Sequence, residues 1–222
     1  MTKNAYFTPE SLASTTLALY QEIENDLHRR DFLRNFQHAS LLILDMQDYF
    51  LNPTSHAFVP SAPAILPGIQ ALIKAFSQRG LPIIFTQHLN TPQNAGRMAT
   101  WWRDLITNKH PLSGIIPELD TRLGTVLIKS QYDAFYQTSL DDILRREGVA
   151  QVVICGVMTH LCCETSARSA FMRGFEVFFP IDGTATYNRD FHLATLRNLA
   201  HGFATMTTVS ELLIKLEASY AV

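Results

Sequence analysis

The chain is poor in cysteine and in charge runs, and each scarcity excludes a class of protein. Three cysteines among 222 residues make a poor disulfide framework and fit a reducing compartment. Charged residues make up 17% and the formal net charge is -2 at pH 7, so nothing indicates nucleic acid or an anionic membrane as a partner. Residues 1–6 lack the apolar core of a signal peptide, and no apolar run would span a bilayer. We therefore expect a soluble cytoplasmic protein.

Signatures of cofactor binding are also missing. The sequence contains neither a G-x-G-x-x-G motif after a strand nor a Walker phosphate loop. The eight histidines show no tight zinc spacing: His88 and His110 are far apart, and His192 and His201 do not share a helical face. The sequence therefore predicts no cofactor and no metal.

What the chain does contain is an alternation of apolar runs and amphipathic segments, with 47% hydrophobic residues. Several runs lack polar alternation, which is typical of parallel strands covered on both faces. The strands are expected at 41–44, 83–86, 125–128, 152–155, 176–179 and 204–207. The helices between them are expected at 65–78, 139–146, 164–173 and 191–199. This pattern predicts one three-layer α/β domain.

Two regions fall outside this alternation. Residues 1–36 have leucines and isoleucines at roughly helical spacing after Thr8-Pro9-Glu10, which would give a cap and a proline at the first helical position. They predict an N-terminal helical extension, with the main domain at 37–222. Residues 89–122 form a long connection containing Trp101 and Trp102, and we expect a helical excursion near the site.

Four reactive side chains stand at or just after the ends of predicted strands: Asp45, His88, Lys129 and Cys162. In open parallel sheets, function gathers at the carboxyl ends of the strands. We therefore expect these side chains to converge on one crevice.

Cys162 follows the run at 151–155 and precedes a helical segment. The N-terminus of a helix carries unpaired N–H groups and a partial positive charge, which would favour a thiolate. Cys162 would then be a nucleophile with a pKa below that of a free thiol. The alternative is that it is a small buried hydrophobe, as most free cysteines are.

A cysteine nucleophile needs a base and a group that holds the oxyanion. Asp45, its pKa raised by burial, is the expected base, and Lys129 would favour the thiolate. The backbone N–H groups of Met158 and Cys162 would form the oxyanion hole. The alternative for Asp45 and Lys129 is a purely architectural ion pair.

Three separated motifs carry a family resemblance: LLILDMQDYF at 41–50, VLIK at 126–129, and GVMTHLCCETSARSA at 156–170. With GFEV at 174–177 and DGTAT at 182–186, they resemble the isochorismatase-like cysteine hydrolases from about residue 39 to the end of the chain. That family includes isochorismatases, nicotinamidases, N-carbamoylsarcosine amidohydrolases, and ureidoacrylate or biuret hydrolases. The resemblance implies a Rossmann-like six-stranded parallel sheet, an Asp45–Lys129–Cys162 triad and a cis peptide between Val157 and Met158.

Departures from the family pattern narrow the function. Isochorismatases typically have glycine at the position of Cys162, so cysteine favours attack on an acyl carbon of a C–N bond. Nicotinamidases have a metal-binding Asp and His where this chain has His88 and Asn90, so the resemblance implies no metal. Ser166 and Ser169 replace the usual Thr and Asp and are expected to affect packing.

The leading hypothesis is a cysteine hydrolase of a small amide, carbamoyl or ureido compound, acting through a thioester. Isochorismatase activity is the alternative enzyme function, because the sequences of segments 45–51, 129–140 and 171–188 resemble isochorismatases most. The non-enzymatic alternative is a degenerate family member that acts as a binding module. A small-molecule substrate and a homo-oligomer, dimer or tetramer, are the expected partners. The expected substrate-binding residues are Gln47, His88, Trp101, Trp102, Tyr132, Phe135 and Thr159.

Overall fold

Seven strands, all paired in parallel, form one sheet in the computed structural model, which describes residues 2–27, 36 and 38–218. The strands are β1 (Ala39–Leu44), β2 (Ile83–His88), β3 (Thr125–Lys129), β4 (Gln151–Val157), β5 (Glu176–Pro180), β6 (Thr184–Ala185) and β7 (Thr205–Thr207). Their order is β3-β2-β1-β4-β5-β7, and the short β6 pairs with the end of β4. The predicted α/β fold with a parallel sheet is confirmed, and β6 is the strand that the apolar runs did not reveal.

The centre of the sheet is formed by the most apolar runs. Every residue of β1 and β4 is buried, as expected where both faces of a parallel sheet are covered. The strands pair from Ala39 with Gln151 to Leu44 with Gly156, so their carboxyl ends are level.

Helices flank this sheet. They are α1 (Leu12–Glu22), α2 (Asp48–Leu51), α3 (Ala62–Gln78), α4 (Met98–Trp101), α5 (Leu140–Arg146), α6 (Glu164–Met172), α7 (Arg189–Gly202) and α8 (Val209–Ala218). The four amphipathic segments correspond to α3, α5, α6 and α7, whereas α8 was not expected. The helical excursion predicted for the connection at 89–122 is small, with only the four-residue α4 and a 3-10 turn at its end.

The N-terminal segment packs on the domain of its own chain. Phe7, Leu19 and Ile23 are all buried in the core, and α1 contacts the turn at Ile181–Gly183. The helix begins at Leu12 rather than Pro9, because residues 9–11 form a turn in which the Thr8 carbonyl accepts from the Leu12 N–H at 2.9 Å. Part of the predicted extension, residues 28–35, lies outside the described residues, and the boundary near residue 36 stays a prediction.

Among the helices of the described ranges, none has the length and apolar character needed to cross a bilayer.

Candidate functional site

The carboxylate of Asp45 lies at the centre of the sheet's carboxyl edge, directly after β1. Its side chain is fully buried, and its backbone has a φ of 51°, which aspartate tolerates better than most residues. The Asp45 N–H donates to Thr86 Oγ1 at 3.1 Å, and the Thr86 hydroxyl donates to Asp45 Oδ1 at 2.6 Å. Thr86 thus fixes the carboxylate. Sequence reasoning missed it, although a hydroxyl ending an apolar run was a usable signal.

A buried ammonium faces this carboxylate. Lys129 Nζ lies 2.8 Å from Asp45 Oδ2, and neither side chain is exposed. Lys129 Nζ also donates to the Gln131 carbonyl at 2.9 Å and lies 3.4 Å from Cys162 Sγ. The structure therefore brings Asp45, Lys129 and Cys162 together.

Both members of the ion pair are held in their charged forms. Burial raises the pKa of Asp45. The Lys129 ammonium, together with smaller contributions from His88 and from contacts with Cys162, outweighs burial and holds that pKa below its usual value. Burial likewise lowers the pKa of Lys129, and the charges of Asp45 and Cys162 reverse this and raise it. The expectation that burial would give Asp45 a raised pKa was wrong, because a cation stands in contact with it.

The Cys162 thiol differs from its expectation as well. It lies on a π-helical turn, Thr159–Cys163, that precedes α6. Burial, followed by the Asp45 charge, raises the pKa of Cys162 to about 12 although Lys129 opposes both. The resting thiol is therefore protonated, and the low pKa expected from the helix N-terminus is not found.

His88 and Asn90, which stand where nicotinamidases have metal ligands, are bonded to each other. His88 Nε2 lies 2.9 Å from Asn90 Oδ1, while Asn90 Nδ2 donates to the Ser130 carbonyl at 2.8 Å. This fixes the amide so that Nε2 carries the hydrogen and Nδ1 faces Lys129 Nζ at 3.4 Å. Burial lowers the pKa of His88 to about 4, so its ring is neutral at pH 7.

These contacts do not suit a metal ion. One nitrogen of His88 donates to Asn90, and the other faces an ammonium group. No group of three or more His, Cys, Asp or Glu side chains is placed to hold a metal within 2–27, 36 and 38–218. No chemical step is therefore assigned to a metal here.

The cis peptide implied between Val157 and Met158 is present. Met158 and Cys162, the expected oxyanion-hole residues, both line a cavity of about 270 Å³ at the sheet's carboxyl edge. Three of the expected substrate-binding residues, His88, Trp102 and Tyr132, line it as well. Trp102 Nε1 donates to the Tyr132 hydroxyl at 2.7 Å, so these two side chains form one wall.

The aromatic residues Trp101 and Phe135 do not line the cavity, which corrects two of the expectations. Trp101 is 77% exposed, because the short α4 turns it to the outside. Phe135 is buried in the core, stacked on Phe175 and covered by the Arg173 guanidinium 4.8 Å from its ring centre.

Two polar residues expected to bind substrate instead hold the scaffold together. Gln47 Oε1 accepts from the His88 N–H at 2.7 Å, and its Nε2 donates to the Ser113 carbonyl at 2.6 Å. The Thr159 hydroxyl donates to Thr184 Oγ1 at 3.1 Å. Both side chains are fully buried and neither lines the cavity, so they position the loops beneath it.

The two serines of α6 also bind the scaffold, as expected. Ser166 Oγ accepts from the Ala134 N–H at 3.0 Å, and Ser169 Oγ donates to Asp133 Oδ2 at 2.8 Å. They tie α6 to the segment that follows Lys129.

Several cavity residues were missed from the sequence: Tyr49 lies on the short α2, and the others come from irregular segments. Tyr49 donates to Asp104 and lies 3.3 Å from His56 Nε2, and His56 Nε2 lies 3.3 Å from Asp104 Oδ1. Lys3 and Tyr187 complete this side of the cavity. No spacing in the sequence connects these five positions.

These features define a protein with a three-layer, Rossmann-like α/β fold and a buried cysteine site, and comparisons with known proteins identify its family. Residues 39–211 match the model of the isochorismatase domain. The chain belongs to the isochorismatase-like hydrolase family.

Individual relatives carry different activities in their names. The chain is 38% identical over 183 residues to nicotinamidase 3 of Arabidopsis thaliana, covering 80% of this chain and 88% of that protein. It is 30% identical over 184 residues to an isochorismatase of Bacillus subtilis (strain 168), covering 81% of this chain and 58% of that relative's length. A cysteine hydrolase from Pseudomonas syringae pv. phaseolicola 1448A superposes with a TM-score of 0.81 at 25% identity, over 85% of this chain and 97% of that one.

Proposed function

We propose that this protein is a metal-independent cysteine hydrolase that cleaves the C–N bond of a small amide, carbamoyl or ureido compound. The observation that carries the proposal is the contact of Cys162 with Lys129 and Asp45 in the wall of a cavity. A buried ion pair alone would have an architectural explanation. A thiol that accepts from Lys129, stands beside the Asp45 carboxylate and is reached from the cavity is what nucleophilic catalysis requires.

The reaction begins with a proton transfer. Asp45, which shares Lys129 with Cys162, takes the thiol proton as sulfur attacks the acyl carbon. The negative charge that develops on the substrate oxygen is met by the backbone N–H groups of Met158 and Cys162. The Lys129 ammonium stays charged and limits the negative charge that accumulates on sulfur and carboxylate.

The second half of the reaction returns the protein to its starting state. Asp45 gives its proton to the leaving nitrogen, the C–N bond breaks, and a thioester on Cys162 remains. Water then attacks the thioester carbon while Asp45 accepts its proton, and the thiolate leaves and is reprotonated by Asp45. The products are ammonia or an amine and a carboxylic or carbamic acid, so the atoms balance without a co-reactant.

A protonated resting thiol is compatible with this route. Because the pKa of Cys162 is raised to about 12, ionisation occurs together with attack rather than before it. The low pKa of Asp45 keeps the carboxylate ready to accept the proton at neutral pH. The neutral His88 adds no charge to the cavity.

Isochorismatase activity is the second candidate, and the relative from Bacillus subtilis favours it. That reaction would use Asp45 as an acid on a vinyl ether and would not need a thiol. An Asp45 held in its charged form by Lys129 is poorly suited to that task, so we place amide hydrolysis first.

The test is a substrate panel. Ammonia release is measured with nicotinamide, N-carbamoylsarcosine, biuret and a ureido acid, and the disappearance of isochorismate is measured separately. Each assay uses the wild type, Cys162→Ala and the control Cys155→Ala. We expect one amide or ureido compound to react and Cys162→Ala to lose at least about a thousandfold in kcat/KM. Turnover of isochorismate alone, undiminished in Cys162→Ala, would instead establish the second candidate.

We also propose a cellular compartment and an oligomeric state. The three cysteines are free in the structure, which supports a cytoplasmic protein. We propose a homo-oligomer that acts on a small molecule without a cofactor.

A further inference from the structure

The N-terminal segment, residues 2–8, crosses the carboxyl edge of the sheet and is firmly held there. The Tyr6 and Phe7 N–H groups donate to Ser61 Oγ at 3.0 and 3.1 Å. The Tyr6 hydroxyl lies 2.7 Å from His192 Nδ1 and accepts from the Thr186 N–H at 3.0 Å. This segment lies outside the 39–211 match to the isochorismatase domain, so its contacts are additions to the family core.

These contacts place Lys3 in the cavity wall. Its ammonium donates to the carbonyls of His56 and Phe58 at 2.5 and 3.2 Å and lies 4.0 Å from the ring centre of Tyr187. Within the described ranges no carboxylate lies within ion-pair distance of Lys3. The side chain is thus positioned by neutral partners, and its charge is not neutralised.

The remaining charges of the cavity do not cancel Lys3. Arg103 also lines the cavity, beside Asp104. The Asp104 carboxylate accepts a hydrogen bond from Tyr49 and faces His56. Two cations and one engaged carboxylate therefore line the cavity that also contains Cys162.

We propose that Lys3 is a specificity-determining residue that binds a carboxylate at the non-reacting end of the substrate. The inference rests on the proposed attack by Cys162 within this cavity. An ammonium held by carbonyls and an aromatic face is pre-positioned for an anion. Attraction to the Lys3 ammonium would concentrate and orient an anionic amide or ureido acid over its neutral counterpart.

The experiment uses two thiol reagents of about the same size, the anionic iodoacetate and the neutral iodoacetamide. The rates of Cys162 alkylation by both are measured at one pH by peptide mass mapping. Their ratio reports how the cavity treats a carboxylate relative to an amide, and it needs no known substrate. We expect the ratio of iodoacetate to iodoacetamide rates to fall about fivefold in Lys3→Gln, as loss of one close, partly solvated charge predicts.

Matched variants separate charge from structure. Lys3→Arg keeps the charge and should keep the ratio, and Lys74→Gln, which removes an exposed charge on α3, should keep it too. A ratio unchanged in Lys3→Gln, or equal changes in both rates, would overturn the carboxylate assignment. Labelling of Cys155 ahead of Cys162 by both reagents in the wild type would instead count against the proposed function.

Discussion

Lys129 and Cys162 stand 3.4 Å apart, Nζ to Sγ, yet the ammonium does not ionise the thiol. Lys129 is shared with Asp45 at 2.8 Å, and the same carboxylate raises the pKa of Cys162, as burial does. Lys129 therefore neutralises the Asp45 carboxylate more than it activates the Cys162 thiol. The first two predictions follow from this.

The first prediction concerns the pH dependence of thiol reactivity. Because the pKa of Cys162 is raised to about 12, the rate of alkylation by iodoacetamide should rise about tenfold per pH unit from pH 7 to 9 without levelling. Cys155, fully buried and with a pKa that burial raises further, should label more slowly throughout. A plateau near pH 7, or labelling of Cys155 first, would contradict the burial argument.

The second prediction separates ionisation from turnover. Asp45→Asn removes the anion that raises the thiol pKa and leaves Lys129 beside the sulfur, so alkylation of Cys162 at pH 8 should become faster. Amide hydrolysis should nevertheless fall at least about a hundredfold, because the proton acceptor is gone. Slower alkylation in Asp45→Asn would show that the carboxylate activates the resting thiol.

These roles show where sequence reasoning was sufficient. Asp45, Lys129 and Cys162 were identified because parallel strands bring their carboxyl ends to one edge, and strand runs are visible in the sequence. The protonation states of these three residues could not be predicted from the sequence, because they depend on burial and on distances between strands. Trp101 and Phe135 were misplaced because an aromatic residue near a strand end has no signature for cavity or core. Lys3 was missed because an irregular segment shows no period.

The third prediction is that activity does not depend on a metal. His88 Nε2 is bonded to Asn90 and Nδ1 faces an ammonium, so neither nitrogen is open to a cation. Treatment with a chelator should leave kcat/KM unchanged, and elemental analysis of the purified protein should show less than one zinc or iron per ten chains. A stoichiometric metal that disappears in His88→Ala would show that these hydrogen bonds rearrange.

The fourth prediction concerns stability against pH. Burial lowers the pKa of His192 to about 3 and that of His88 to about 4, whereas an unfolded histidine has a pKa of about 6.5. As the pH falls below about 6.5, the unfolded state binds protons that the folded state refuses, so the free energy of unfolding should fall. The expected loss by pH 5 is about 2 kcal/mol per buried histidine.

Urea unfolding at pH 7.5, 6 and 5 measures this loss. His192→Asn should reduce the slope of the unfolding free energy against pH by the equivalent of about one proton. The same change at the exposed His38 should leave that slope unchanged. Equal slopes for wild type and His192→Asn would remove His192 from the explanation.

The fifth prediction concerns assembly. Leu19 of α1 and Ile23, which follows this helix, are buried on their own chain. The apolar surface left for contact therefore includes the outer strand β3, where Val126 and Ile128 are 43% and 60% exposed. We expect light scattering to show a dimer or tetramer that Ile128→Lys weakens. Ile214→Lys, on the equally exposed Ile214 of α8, is the control. A monomeric wild type would refute the oligomer.

The position of the N-terminal segment has a consequence for partly unfolded states. Asp45 and Cys162 follow β1 and β4 at the centre of the sheet, which open only with the whole domain, whereas a peripheral segment detaches at lower cost. Mild denaturant would therefore release Lys3 before it disturbs Cys162. The protein should pass through a state that still hydrolyses its substrates but no longer distinguishes charged from neutral ones.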